Sequence, residues 1–205
     1  MNEFDELNNL SEDELLDISD YFDSMELSNK EKEKRKDFAE SINEIMLFIF
    51  TLFSLMKDYK YINKQFIISQ LQSRYSEVIL KFMDTNKYIQ DYIKKFSKEV
   101  VDITLKYPDE EYYLSDDRAF IISVNEANSV LGYQQLQEAK EQGFTYKTWI
   151  TEKDSKVRKT HKEVDNMKIP IDYYFPVGNS LMMYPHDMDA EPEETVNCRC
   201  TLKFS

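Results

Sequence analysis

Both histidines, both cysteines and the single tryptophan of this 205-residue chain fall between positions 149 and 200. Cys198 and Cys200 stand at C-x-C spacing, which on an extended segment turns both side chains to one face. With His161 they make three soft or borderline ligands, a set that suits zinc. A fourth ligand would come from His186, Glu194, Asp165 or a water. Two other readings stay open. The cysteines can be small buried core residues, with His161 a hydrogen-bonded structural side chain. Alternatively, a cysteine and His161 form a nucleophile pair, for which the sequence offers no evident orienting third residue and no glycine-rich loop. Arg158 and Arg199 are placed to pair with Asp154, Asp187 or Glu194 and lock loops to strands. C-x-C spacing is poorly suited to a relaxed disulfide, so the thiols point to a reduced, intracellular protein.

These residues need elements to position them. Residues 144–152 alternate as a strand does, with Phe144, Tyr146, Thr148 and Ile150 on one side. Asp154 is a suitable cap for a short helix over 156–164, which would put Val157 and His161 on one face at i, i+4 with Arg158 beside them. Residues 168–177 read as a loop with two prolines, and 181–184 and 198–204 as two further strands. Upstream, Asp116 or Asp117 opens a helix carrying Phe120, Ile121, Val124, Ala127, Val130 and Leu131, and Gly143 suits its C-terminal end.

The first half is built differently. Gly 3 and Pro 5 in the whole chain favour long uninterrupted helices over a turn-rich sandwich. From Ser28, which with Glu31 has capping-box spacing, a helical pattern runs to about residue 105. Breaks near 59–63 and 84–86 divide it into three helices. Ile45 to Met56 is almost wholly apolar, but Lys57 and Asp58 end the run short of the roughly 20 residues a bilayer span needs. A helix buried within a bundle or assembly is expected instead, and no membrane. Residues 1–27 are acidic; up to position 26 there is no Lys or Arg. They read either as a disordered arm or as an amphipathic segment that folds on a partner through Leu15, Ile18 and Phe22. The domain boundary falls at Pro108, which cannot continue a helix. That gives an arm over 1–27, a helical interaction region over 28–107 and a compact domain over 108–205. A net charge of −13 argues against direct DNA binding, which runs on Lys and Arg.

The C-terminal residues, taken together, resemble the phage minor head proteins, the Mu F-like head-morphogenesis family. Trp149 with Thr151 and Asp154 matches W-x-T-x-x-D. Val157, Arg158 and His161 match V-R-x-x-H, followed by Val164 and Asp165. Phe175, Pro185 and Asp187 match the loop and its P-x-D, and Asn197-Cys198-Arg199-Cys200 the terminal N-C-R-C. Arg118, Glu126 and Lys147 look like the family's lead-in. The resemblance covers roughly 115–204. Asn166 and His186 depart from it, standing where a glycine is usual. Glu194 and Thr195 occupy the region where many relatives carry a histidine.

The resemblance implies a virion protein of the phage head, associated with the portal or capsid interior and acting in head morphogenesis or DNA delivery. Portal and capsid proteins are its implied partners, and self-association stays open. The expected fold class is α+β, a helical half followed by a small antiparallel sheet. No catalytic residues and no cofactor are expected, apart from the zinc left open above. The rival reading is a small effector enzyme, a nuclease or ADP-ribosyltransferase-like protein, using Arg118, Glu126 and His161.

Overall fold

Apolar residues at threes and fours give each helix one face to bury, and with few glycines or prolines to interrupt them the helices run long. The computed structural model describes residues 17–58 and 61–205. The three long helices expected between 28 and 105 form: α2 (Asn29–Asp58), α3 (Lys64–Phe82) and α4 (Lys87–Lys106). Each start is set by a side-chain oxygen. Ser28 Oγ accepts from the Glu31 N–H at 3.3 Å, Asn63 Oδ1 from Phe66 at 3.0 Å and Asn86 Oδ1 from Ile89 at 3.0 Å. A short 3-10 turn (Glu111–Leu114) leads into α5 (Asp116–Glu141), whose cap is Ser115 rather than Asp116 or Asp117. Gly143, at φ +82, follows its end in the left-handed region that glycine adopts freely.

Phe38, Ile42, Met46, Ile49 and Phe53 of α2 meet Leu71 and Tyr75 of α3, Ile93 and Val101 of α4, and Val124 and Leu131 of α5 in one core. Fully burying each aliphatic or phenyl side chain contributes about 1.5–3 kcal/mol. The helical core therefore continues past Pro108, because α5 supplies one of its walls. Part of α2 is long and apolar enough to cross a membrane. In this fold its buried stripe faces the other helices.

The acidic segment departs from a wholly disordered arm. Ile18–Asp23 is a helix, α1, capped by Asp17, and Ile18, Tyr21, Phe22 and Met25 are buried in the same core. It folds on its own chain, driven by that apolar face. Residues 1–16, Leu15 among them, lie outside the described residues.

The second half carries a three-stranded antiparallel sheet, ordered β2-β1-β5, and a separate β3-β4 hairpin. The strands are β1 (Tyr146–Ile150), β2 (Lys168–Pro170), β3 (Phe175–Val177), β4 (Ser180–Met182) and β5 (Thr201–Phe204). Trp149 pairs with Leu202 and Thr148 with Lys168. The expected loop over 168–177 thus contains two short strands. The buried face of β1 is that of Lys147 and Trp149, opposite to Tyr146. The last strand begins after the cysteines, since Thr201 pairs with Ile150 at the end of β1. Helix α6 (Lys159–Glu163) is shorter than expected and leaves Val157 outside it, and α7 (Pro192–Thr195) is a single turn. Helices and small antiparallel sheets together make an α+β chain.

Candidate functional site

Trp149 fills the middle of the small C-terminal core. It is fully buried, edge-on to Phe175 at 5.2 Å between ring centroids and edge-on to His161 at 5.6 Å. The ring of His161 therefore has an apolar wall on one side. Its two nitrogens face different chemistry. Nδ1 lies 3.3 Å from Cys200 Sγ and 3.5 Å from Cys198 Sγ, and Nε2 lies 3.1 Å from Glu194 Oε2. The three side chains expected to converge do so, and all are buried.

The other expected ligands are engaged elsewhere. Asp165 Oδ1 accepts from the Thr151 N–H at 2.9 Å. His186 Nε2 contacts the carbonyl oxygen of Cys198, so it touches the motif's backbone and not its sulfurs. Burial pushes the His186 imidazole down to about 3, which leaves it neutral at ordinary pH. Glu194 is in place, but on the far nitrogen of His161. The Thr160 hydroxyl donates to the same carboxylate oxygen at 2.8 Å. Glu194 thereby also supplies the orienting third group that the sequence did not make evident for a Cys–His pair.

The two sulfurs are inequivalent. Burial alone would raise the Cys198 thiol. Donation from the Cys200 side chain and backbone N–H, with Arg158 and Arg199 nearby, holds it below the usual range. Cys200, donating to that sulfur and buried, is held well above. Both are free cysteines. A cavity of about 20 Å³ lies over the group, lined by His161, both cysteines, Glu152, Arg158 and Asn197 among others. That is room for a single water- or ion-sized occupant.

The remaining motif residues hold this arrangement. Arg199 pairs with Asp154, and Asp154 Oδ1 accepts from the Lys156 N–H at 2.9 Å. Asp154 therefore caps a turn and not the helix, whose first flanking residue is Arg158. Arg158 donates to the Val196 carbonyl. The Asn197 N–H donates to Asn125 Oδ1 on α5 at 3.1 Å. Asp187 accepts from the Met183 and Asp189 N–H groups, which lie on either side of Tyr184 and Pro185. Lys147 is fully buried, its ammonium donating to the Met183 carbonyl at 2.7 Å, and burial brings it down to about 8. Asn166 and His186, the two replacements of glycine, hold φ +60 and +62. Asn and His adopt the left-handed region more readily than most residues, so the turns survive.

Sequence reasoning missed the link to the N-terminal helix. The Cys198 carbonyl also accepts from the Tyr21 hydroxyl of α1 at 2.9 Å, and the Tyr21 hydroxyl in turn accepts from Asn128 Nδ2 at 3.2 Å. Arg35 of α2 donates to Asn128 Oδ1 at 2.9 Å, completing a buried polar chain from the helices to the C-x-C segment. A tyrosine in an acidic segment gave no sign of this.

Arg118 and Glu126 do not join His161. Arg118 donates to Thr104 Oγ1 at 2.8 Å and the Tyr113 carbonyl at 2.6 Å. Glu126 accepts from the hydroxyls of Tyr75 and Tyr92 inside the helical core. Burial there raises its carboxyl to about 7, against the two tyrosine hydrogen bonds that lower it.

The family described as "Phage Mu protein F like protein" matches residues 84–203, more than half of the chain. The chain belongs to this family of phage head proteins. The match begins inside the helical half, before α4, so it takes in part of the helical core as well as the sheet. One curated relative is the NAD(+)--arginine ADP-ribosyltransferase EFV of Enterococcus faecalis (strain ATCC 700802 / V583), 33% identical over 100 residues. Those residues are 47% of this chain and 20% of that protein, so the chain spans about a fifth of the relative's length. No solved structure matches.

Proposed function

We propose that this chain is a minor structural protein of a tailed-phage or prophage head, binding portal or capsid subunits and acting in head morphogenesis or DNA delivery. The observation that carries the reading is the family match over residues 84–203. The chemistry of the surface agrees with it. A net charge of −13 disfavours a role in coating DNA. Leu55 of α2 and Phe66 and Leu80 of α3 are exposed, together with Tyr61 and Ile62 between these helices. We assign these side chains to the face that a neighbouring subunit covers.

The enzymatic alternative rests on the ADP-ribosyltransferase relative and would use Arg118, Glu126 and His161. Arg118 and Glu126 are instead engaged by helix-core partners, and His161 by the cysteines and Glu194. We therefore read the chain as non-catalytic in this respect, with its likeness to that relative confined to a shared segment. The test is co-expression with the portal and major capsid proteins of the same genome. Retention on tagged portal or capsid, lost when Leu55, Phe66 and Leu80 are changed to Ser or Lys, supports the reading. No retention on either subunit, alone or assembled, contradicts it.

A further inference from the structure

We propose that His161, Cys198 and Cys200 bind one zinc ion through Nδ1 and the two sulfurs, with Glu194 as the carboxylate that holds the His161 ring. The argument starts from the tautomer. Nε2 faces the Glu194 carboxylate at 3.1 Å, so Nε2 carries the hydrogen and Nδ1 presents its lone pair to the sulfurs. Two thiols then converge on one lone pair, at 3.3 and 3.5 Å. Three potential ligand atoms therefore face one point, and a cation between them would use all three. In a tetrahedral zinc site, Zn–S of about 2.3 Å and Zn–N of about 2.0–2.1 Å place nitrogen about 3.6 Å from sulfur. The three ligand atoms lie within 4.8 Å of one another.

The surroundings fit the same occupant. Histidine ligands commonly donate their other ring N–H to a carboxylate, which fixes the ring and raises its basicity. Glu194 stands in that place, anchored by the Thr160 hydroxyl. Gly178 makes room for it, since a Cβ there would overlap Glu194 Oε1. Arg158 and Arg199 line the cavity beside the cysteines and offset the two thiolates and the carboxylate. The fourth position falls to a water, because Asp165 is engaged elsewhere and His186, with Nε2 on the Cys198 carbonyl, lies outside the group of ligand atoms. On binding, each thiol loses its proton to solvent and two sulfur–zinc bonds form. Nothing is oxidised or reduced.

The experiment uses the full chain, purified reduced, stripped with chelator and reloaded with Zn²⁺ or with Co²⁺ as a spectroscopic probe. Expected are one metal per chain, thiolate-to-cobalt charge-transfer absorption with tetrahedral visible bands, and a higher Tm with zinc than with chelator. Cys198→Ser and Cys200→Ser should each weaken the charge-transfer band. Because either change can also unfold the domain, Glu194→Gln is the second variant. It should keep the tetrahedral spectrum while lowering zinc affinity about 10–100-fold. A stripped chain that takes up no cobalt and keeps its Tm in chelator overturns the site in favour of thiol–imidazole hydrogen bonds. Equal uptake by folded cysteine variants places the ion elsewhere and overturns it too. Fast alkylation of one cysteine in zinc-containing buffer overturns the site in favour of an activated nucleophile. Unchanged affinity in Glu194→Gln overturns the part assigned to that carboxylate.

Discussion

Gly178 shows how one residue conditions a site that it does not join. Its φ is +56, and a Cβ there would meet Glu194 Oε1 and Thr160. Gly178→Ala therefore combines backbone strain with a clash against the carboxylate that faces His161. It should cost at least about 1 kcal/mol in urea unfolding. A neutral result would mean that Glu194 moves without penalty. Glu126 gives a pH signature of its own. Burial raises its carboxyl from 4.5 to about 7 in the folded chain. Below 4.5 both states hold the proton. As pH rises the unfolded chain releases it first, so the folded state loses stability until about pH 7. The full loss is roughly 3 kcal/mol, at 1.36 kcal/mol per pKa unit. Glu126→Gln removes this dependence, so the variant's Tm relative to the native chain should climb from pH 5 to pH 8. A constant difference across that range contradicts the buried-carboxyl account. Glu99 is the charged neighbour that adds to the effect.

Among the elements, α1 ties the two halves together. Phe22 is fully buried against the helices, and the Tyr21 hydroxyl reaches the Cys198 carbonyl. Phe22→Ala should cost about 3–5 kcal/mol by thermal or chemical unfolding. Tyr21→Phe leaves the Cys198 carbonyl with fewer donors and should cost about 1–3 kcal/mol. If either change proves silent, α1 is not docked as described. The long helices were legible because their signals are local: apolar residues at threes and fours, and the Ser28–Glu31 cap. Helix α6 is shorter than its sequence suggests for a non-local reason. The ion pair of Asp154 with Arg199 and its bond to the Lys156 N–H commit that aspartate to a turn, so the helix starts only after Arg158. The last strand starts at Thr201 and not at Cys198, because its start depends on where β1 ends, at Ile150. Convergence of His161 with the cysteines was legible from the motif. The position of Glu194 was not, since it depends on the hairpin glycine and on Thr160. Nor was the docking of α1, which depends on a core shared by α2 and α5.

At the scale of the molecule, a helical core and a small sheet module are joined by the buried chain from Arg35 through Asn128 and Tyr21 to Cys198. Family membership places this arrangement among phage head proteins, and the exposed side chains on α2 and α3 are the surface proposed above for a neighbouring subunit. The most direct measurement is quantitative mass spectrometry of heads purified from a phage or prophage lysate that expresses this chain. Its copy number would be taken against portal and major capsid protein. A minor head protein should co-purify with the heads at a few copies each, comparable to the portal and far below the major capsid protein. It should persist after a high-salt wash and disappear when the exposed α2–α3 residues are replaced. Finding the chain only in the soluble fraction, with heads forming and packaging normally in its absence, would contradict the proposed role.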